Sequence, residues 1–423
     1  MLLLLNGAAT AEEGTDVNTP EEISVENKES SLSTESREAG VPVAEKKSEA
    51  GIKSGYFDIP LKFSGYAQLW FVHEEAENGK QQSYTGDEAA DETSGFSFNK
   101  IRLQADFGKD KLKGRMSVRF DGGDTASLLD LYGSYALFDS RLSFYAGQMK
   151  IPSAYEVEVS PSEQDFIITS KFSSEVTNWS LCKSPSSVSP FTNVQTYQRD
   201  TGIGVKGDIA GFSYFLMASN GLGANLFTGG PEKKEYVYTN KFGEYFYGAR
   251  LSYDFAPLFK AAGLGFMPLQ LIIGGHYNYN RHDNILYNDT KTVLDLKRDS
   301  YSGDVRLNLF KRIRLTGMYG AGHVDDDFDN DGDTDYEYSG WEAKCVAVII
   351  PGRLETGVRY DEFESEKTIY GAPETDKVLT LGVTSVFIRQ LRFQVNYRIK
   401  KRESPLSNDL DDNALLLQMQ YAF

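Results

Sequence analysis

The sequence predicts an all-β fold, a transmembrane antiparallel β-barrel of about sixteen strands, and three observations predict it. Apolar and polar residues alternate with a period of two from Ile59 to Phe423. No run of about 20 apolar residues follows residue 5, and the mean hydropathy of -0.41 excludes a bundle of spanning helices, so any crossing of a membrane is made by strands. The connections between alternating segments are tight at one end and mostly long and polar at the other, the asymmetry of short periplasmic turns and long extracellular loops.

Residues 1–11 carry a Leu run and an A-x-A pattern at Ala9 and Ala11, which reads as the remnant of a signal peptide without its basic start. Residues 12–58 are rich in Glu, Ser, Lys and Thr and poor in aromatics. They bury too little apolar surface to offset ordering and read as a disordered acidic periplasmic leader. Residues 59–423 read as the barrel. The segments 59–71, 96–107, 112–121, 128–138, 141–150, 199–208, 211–220, 244–255, 268–280, 300–310, 312–321, 338–349, 353–361, 377–387, 390–401 and 413–423 are its expected strands. Between Lys100 and Phe107, for example, Ile101, Leu103, Ala105 and Phe107 alternate with Lys100, Arg102, Gln104 and Asp106, as a wall between lipid and water requires.

Tight connections fall at 108–111, 139–140, 209–210, 351–352 and 389, with 256–267 a longer exception on that side. Tyr245, Tyr247, Tyr253, Phe255, Tyr277 and Tyr279 sit near expected strand ends on the apolar parity, where interfacial girdles form. The final segment keeps the alternation through Leu415, Leu417, Met419, Tyr421 and Phe423, and it must pair with the first to leave no edge in lipid. Cys182 and Cys345 are far apart and form no C-x-x-C pattern, so both are expected to be unpaired thiols. A net charge of -17 argues against a nucleic-acid partner.

The runs FNKIRLQADFG, KGRMSVRFD, LLDLYGSYALF, RLSFYAGQMKIP and RDTGIGVKG, in that order between residues 96 and 221, resemble the phosphate-selective porin O and P family. The resemblance implies an outer-membrane porin of sixteen strands, a homotrimer, with a long third loop folded into the lumen; residues 151–198, the third extracellular connection, are the longest here. Family members select phosphate with rows of lumenal Arg and clustered Lys. Lys150 ends the signature strand and Lys171 lies in the third loop, but this sequence has no compact Lys cluster.

The leader, the first loop (Glu74 to Glu92), the sixth (Asp325 to Glu337) and the seventh (Asp361 to Asp376) hold an excess of acid larger than the whole net charge, so the remaining chain is net positive. The basic residues expected to line the pore are Lys100, Arg102, Arg115, Arg119, Lys150, Lys171, Arg250, Arg306, Arg314, Arg359, Arg392 and Arg398, with Lys206, Lys344 and Lys400 on the same wet parity. They face chiefly Asp106, Asp130, Asp304, Glu342 and Glu355. Two readings stand: an anion-favouring lumen, because a low-dielectric wall focuses the field of unbalanced Arg and Lys, or ion pairs that brace the wall.

In residues 325–337, Asp327, Asp329, Asp331, Asp333 and Asp335 with Gly332 fit the first half of a calcium loop, but the twelfth position is Tyr338 rather than a bidentate Glu. A Ca2+ site and a solvated acidic loop therefore both remain open. No other cofactor is expected. The four His have no matched nucleophile or carboxylate at motif spacing, and no Gly-rich phosphate loop lies between a strand and a helix, so an enzyme is not expected. The expected function is a passive water-filled channel for small hydrophilic solutes, anion-preferring, with phosphate or other inorganic anions as candidates. Its expected surroundings are outer-membrane lipid and lipopolysaccharide. The alternative is a structural barrel, a sheath for an inserted partner such as a multi-haem cytochrome, or a surface adhesin.

Overall fold

A computed structural model describes residues 50–54, 57–76, 92–120, 126–138, 141–176, 199–221, 245–264, 268–287, 292–326, 335–366, 373–403 and 410–423. The described strands are β1 (Ala50–Ser54), β2 (Phe57–Ala76), β3 (Glu92–Lys109), β4 (Leu112–Phe120), β5 (Ala126–Leu137), β6 (Leu142–Lys150), β7 (Arg199–Ile209), β8 (Phe212–Ser219), β9 (Phe246–Asp254), β10 (Leu269–Tyr287), β11 (Thr292–Leu309), β12 (Ile313–Asp326), β13 (Asp335–Ile350), β14 (Leu354–Ser365), β15 (Glu374–Ile388), β16 (Leu391–Glu403) and β17 (Leu410–Ala422). Three short helices accompany them: α1 (Tyr155–Glu158), α2 (Lys171–Val176) and α3 (Ala256–Ala261). Each strand from β2 to β17 pairs antiparallel with its sequence neighbour, and β17 pairs with β2, so sixteen strands close into a barrel. Closure leaves no open edge for lipid to meet.

All sixteen expected segments correspond to β2–β17. The extra strand β1 lies in the stretch read from sequence as leader. It pairs with the first residues of β2, Ala50 opposite Leu61 through Ser54 opposite Phe57. Composition gives no warning of this, because five residues added to an existing edge need backbone partners rather than an apolar face of their own. Several strands also run further toward the long-loop end than expected; β10 continues through Tyr287 and β11 begins at Thr292. Above the bilayer no hydrocarbon enforces the alternation that marks a strand below.

The alternation does what the sequence demands. Leu103, Phe144, Ile203, Leu216, Tyr277, Val305, Leu381 and Leu417 are exposed on the outer wall, whereas Arg102, Ser143, Met217, His276, Asp304, Thr380 and Gln418 are buried inward. Burying apolar side chains outward in hydrocarbon and polar ones inward is the signature of an outer-membrane barrel. Among the described residues no helix is long and apolar enough to cross a membrane; the crossing is made by strands.

At the short-connection end, Ala210 and Gly211 both have positive φ (52° and 92°), the primed turn whose twist matches a tight hairpin. The exception, between β9 and β10, holds α3, where the Asp254 side chain accepts a hydrogen bond from the Ala256 amide at 2.8 Å. The seam between β2 and β17 is sealed by two backbone hydrogen bonds of 3.0 Å between Gly65 and Phe423, and Trp70 donates to Gln418 at 2.7 Å.

Candidate pore and constriction

The connection after β6 turns into the barrel, and its described part, residues 151–176, lies against the inner wall. Irregular backbone at membrane depth is tolerated only where protein or a watery cavity satisfies its polar groups. Inward side chains of the wall do so here. Asn278 donates to the Pro152 carbonyl (3.0 Å), Arg250 to Ser153 (3.2 Å), Arg392 to Ser162 and Gln164 (2.8 and 2.7 Å), and Gln420 to Ser162 (3.1 Å). The Ile167 amide donates to Asn396 Oδ1 at 2.7 Å.

Apolar side chains of the loop press into the same wall. Phe172 and Val176 join Met318, Val324, Tyr338 and Phe363 in one buried cluster, and Ile167 joins Trp70 and Leu416 in another. Phe166 sits over Gly382, where an added Cβ would come within 2.9 Å of its ring. The residues that look like pore lining in sequence therefore serve, on this side, as the socket of a loop.

The charges follow the same division. On the docked wall, Arg359 is 0% exposed and pairs with Glu156 of the loop at 3.0 Å and with Asp361 at 3.3 Å. Arg314 holds Glu355 through both guanidinium nitrogens and reaches Asp165 of the loop at 2.7 Å, and Lys344 reaches the same Asp165 at 3.3 Å. Arg250 bridges Glu158 and Asp304, Arg306 takes the other oxygen of Asp304, and Lys171 of the loop reaches Asp376 at 3.4 Å. Burial alone would raise the Asp165 carboxyl, but Lys344 and Arg314 hold it down at about 2. Burial opposes ionisation of Glu156 too, and Arg359, Lys344 and the Ser170 amide keep it well below the usual carboxylate range.

The opposite arc, β3 to β8, is arranged differently. Arg102 stands directly across from Arg119, and Lys150 directly across from Arg199. Like charges placed directly opposite are destabilising. Asp130 takes both Arg102 (2.5 Å) and Arg199 (3.1 Å), with Ser117 donating to it at 2.6 Å; Arg115 pairs with Asp106 at 2.6 Å. Glu158, the next carboxylate within electrostatic range of Lys150, is already held by Arg250. Aromatics interleave: Tyr132 and Tyr145 pack 5.6 Å apart, Lys206 lies over the Tyr145 and Phe215 rings at 5.2 and 3.8 Å, and Lys100 lies 5.8 Å from the Trp70 ring.

The Gly147-Gln148 signature builds this arc. The register slips between Ser117 and Val118, leaving an extra residue on β5, and the Gln148 side-chain amide donates to the Leu128 and Leu129 carbonyls at 2.7 and 2.9 Å. Gly147 has φ of +126°, and a Cβ there would lie 2.3 Å from the Leu131 carbonyl oxygen, so only glycine lets the strand cross the bulge. The bulge aims Asp130 into the lumen between the two arginines, and Lys150 closes the strand by donating to the Val157 carbonyl of the loop.

Of the twelve expected pore cations, Arg250, Arg306, Arg314, Arg359 and Arg392 lie in the docked wall and Lys171 in the loop itself. Lys100, Arg102, Arg115, Arg119 and Lys150 lie on the opposite arc, and Arg398 is half-buried on β16. The charge count behind them needs correction at two places. Asp361 and Asp376, counted from sequence with the seventh loop, belong to β14 and β15 and are fully buried partners of lumenal cations. Sequence also overlooks Arg199, masked by its place at a strand start, and the loop carboxylates Glu156 and Asp165, whose partners are more than 100 residues away. Asp327, Asp329, Asp331 and Asp333 fall outside the described residues; Asp335 opens β13 beside His323, 3.7 Å away. Cys345 is a free thiol, and Cys182 falls outside the described residues.

A sixteen-stranded outer-membrane barrel with an inturned third connection is a porin-like fold. Solved structures agree on the fold. The anion-selective porin from Comamonas acidovorans is 13% identical with a TM-score of 0.54, covering 86% of this chain and 100% of its own. The outer membrane channel DcaP of Acinetobacter baumannii is 14% identical with a TM-score of 0.53, over 88% and 100%. The trimer form of OmpT from Vibrio cholerae is 10% identical with a TM-score of 0.51, over 86% and 99%. No family model and no curated protein sequence matches the chain.

Proposed function

We propose that the protein is a passive, anion-preferring diffusion channel for small hydrophilic solutes, phosphate and other inorganic anions among them, and that it works as a homotrimer. The observation that carries the anion reading is the pair of opposed like charges, Arg102 across from Arg119 and Lys150 across from Arg199, beside Asp130, which holds Arg102 and Arg199. A barrel that tolerates this repulsion gains a positive potential in a low-dielectric wall, which raises the local concentration of anions. The resemblance of residues 96–221 to phosphate-selective porins and the fold shared with an anion-selective porin support the same reading, and the trimeric form of a fold relative supports the assembly.

Reversal potentials in a planar bilayer under a KCl gradient test it. The expected sign is that of chloride preference, and added phosphate is expected to reduce the chloride current by competing for the same arc. A potential of the opposite sign would overturn the proposal.

A further inference from the structure

One cation of the open arc is held by rings instead of a carboxylate. Lys206 of β7 makes no ion pair or hydrogen bond with any described residue, and its ammonium lies over the faces of Tyr145 and Phe215. Glu158 and Asp130 act on it from a distance, but Arg250 holds the first and Arg102 and Arg199 hold the second. In the same arc Arg102, Arg115 and Arg199 each have a carboxylate oxygen at 3.1 Å or nearer.

Its neighbours form a row around the inner wall. Arg115 of β4 stands directly across from Tyr132 of β5, Tyr132 packs against Tyr145 of β6, and Lys206 of β7 lies over both Tyr145 and Phe215 of β8. Successive strands thus give one side chain each, in the order cation, ring, ring, cation, ring. The row has the inward parity, since Met116, Leu131, Phe144 and Leu216, one position along, are exposed on the outer wall. Neither tyrosine hydroxyl has a hydrogen-bond partner among the described residues and neither is buried, so both open on the lumen.

The row is also built to hold its shape. Phe215 is buried with Met149, Ile151, Met217 and Phe246, and Tyr132 and Tyr145 rest on that cluster. Gly204, directly across from Tyr145, makes room for Phe215; a Cβ there would lie 3.0 Å from its ring. Rings fixed before a solute arrives lose little freedom when it binds.

An aromatic face carries partial negative charge, so a bare inorganic anion gains nothing from lying over one. A flat apolar ring does gain from stacking there, and a charged head attached to it meets the ammonium alongside. We infer that this row is a binding site for organic anions that carry their charge on a planar ring, aryl carboxylates being the simplest. The inference rests on the anion-channel reading and adds a solute class beyond inorganic ions.

Block of the chloride current by benzoate and by acetate, recorded on single channels of the full chain at neutral pH, tests it. Only a closed barrel conducts, so every recorded channel reports a folded variant. Benzoate is expected to halve the current at a concentration roughly 2- to 10-fold below that of acetate, the size of one ring–ring contact. Tyr132→Leu and Tyr145→Leu are expected to bring benzoate close to acetate, and Lys206→Met to weaken the block by both. Equal potency of the two acids on the unmodified channel, or a benzoate preference that survives both tyrosine variants, would overturn the site while chloride preference leaves the anion channel standing. Cation preference in the reversal potential, together with a benzoate block that still needs Tyr145, would overturn the anion channel and keep the site.

Discussion

The docked wall and the open arc carry the same residue types to opposite ends. Both place cations directly across from one another, Lys344 opposite Arg359 on the docked wall and Arg102 opposite Arg119 on the open one. On the docked wall the loop delivers Glu156 and Asp165 into the gap, so repulsion becomes a buried ion-pair network. On the open arc Asp130 is shared by two arginines. The lesson is that the role of a lumenal arginine is set by whether a carboxylate is brought to it, which neither its parity nor its count reveals.

The largest test breaks the docked side. Glu156→Ala leaves fully buried Arg359 without its loop carboxylate, a loss of about 3–5 kcal/mol for a broken buried pair. The loop is expected to leave the wall, seen as a higher and noisier single-channel conductance and as new protease cleavage within 151–176. Replacing both partners, Glu156→Met with Arg359→Met, is expected to restore quiet conductance; an unaltered conductance in the single variant would show that the hydrogen bonds to the backbone suffice.

A smaller effect comes from acid. Asp165 is held at about 2 against an unfolded value of about 3.9, a difference of about 2–3 kcal/mol. Because its value is depressed, its anchoring is complete above pH ~4 and is lost as pH falls through about 2. Conductance recorded from pH 6 downward is therefore expected to stay level until about pH 4 and then become noisy, and Asp165→Asn is expected to show the noise already at neutral pH. A transition centred near pH 6 would assign the anchor elsewhere.

The smallest effect sharpens the open side. Removing one unit charge about 4 Å from a passing ion in water is worth about 1 kcal/mol, roughly fivefold in local concentration. Arg119→Gln is thus expected to lower the chloride-to-potassium permeability ratio several-fold. Arg314→Gln, on the docked wall, is expected to do the reverse: to loosen the loop and leave the ratio nearly unchanged. Equal effects of the two on selectivity would erase the distinction between the walls.

Most of the barrel is legible in the sequence because one face of every strand meets hydrocarbon, and hydrocarbon enforces apolar residues at every second position. Where the strands leave the bilayer that pressure ends, which is why the upper parts of β10, β11 and β15 read as loop and Asp376 was counted outside. The site is legible in kind but not in arrangement. Lys100, Arg102, Arg115 and Arg119 are where alternation puts them, yet which cations are neutralised depends on Glu156 and Asp165, whose loop has no period to read. The Gly147-Gln148 pair is visible as a signature, but its reason, a residue inserted across the sheet in β5, exists only once β4, β5 and β6 are side by side.

The seam between β2 and β17 sets the order in which the molecule can be made. Gln68 and Gln420, joined at 2.8 Å, are 352 positions apart, and the barrel has no closed form until that distance in sequence is bridged. Every hairpin before it can zip with its neighbour; this junction cannot. The growing sheet therefore presents two raw edges throughout assembly, and in a bilayer, where bare amides and carbonyls have no water to turn to, something else must cover them until the first and last strands meet.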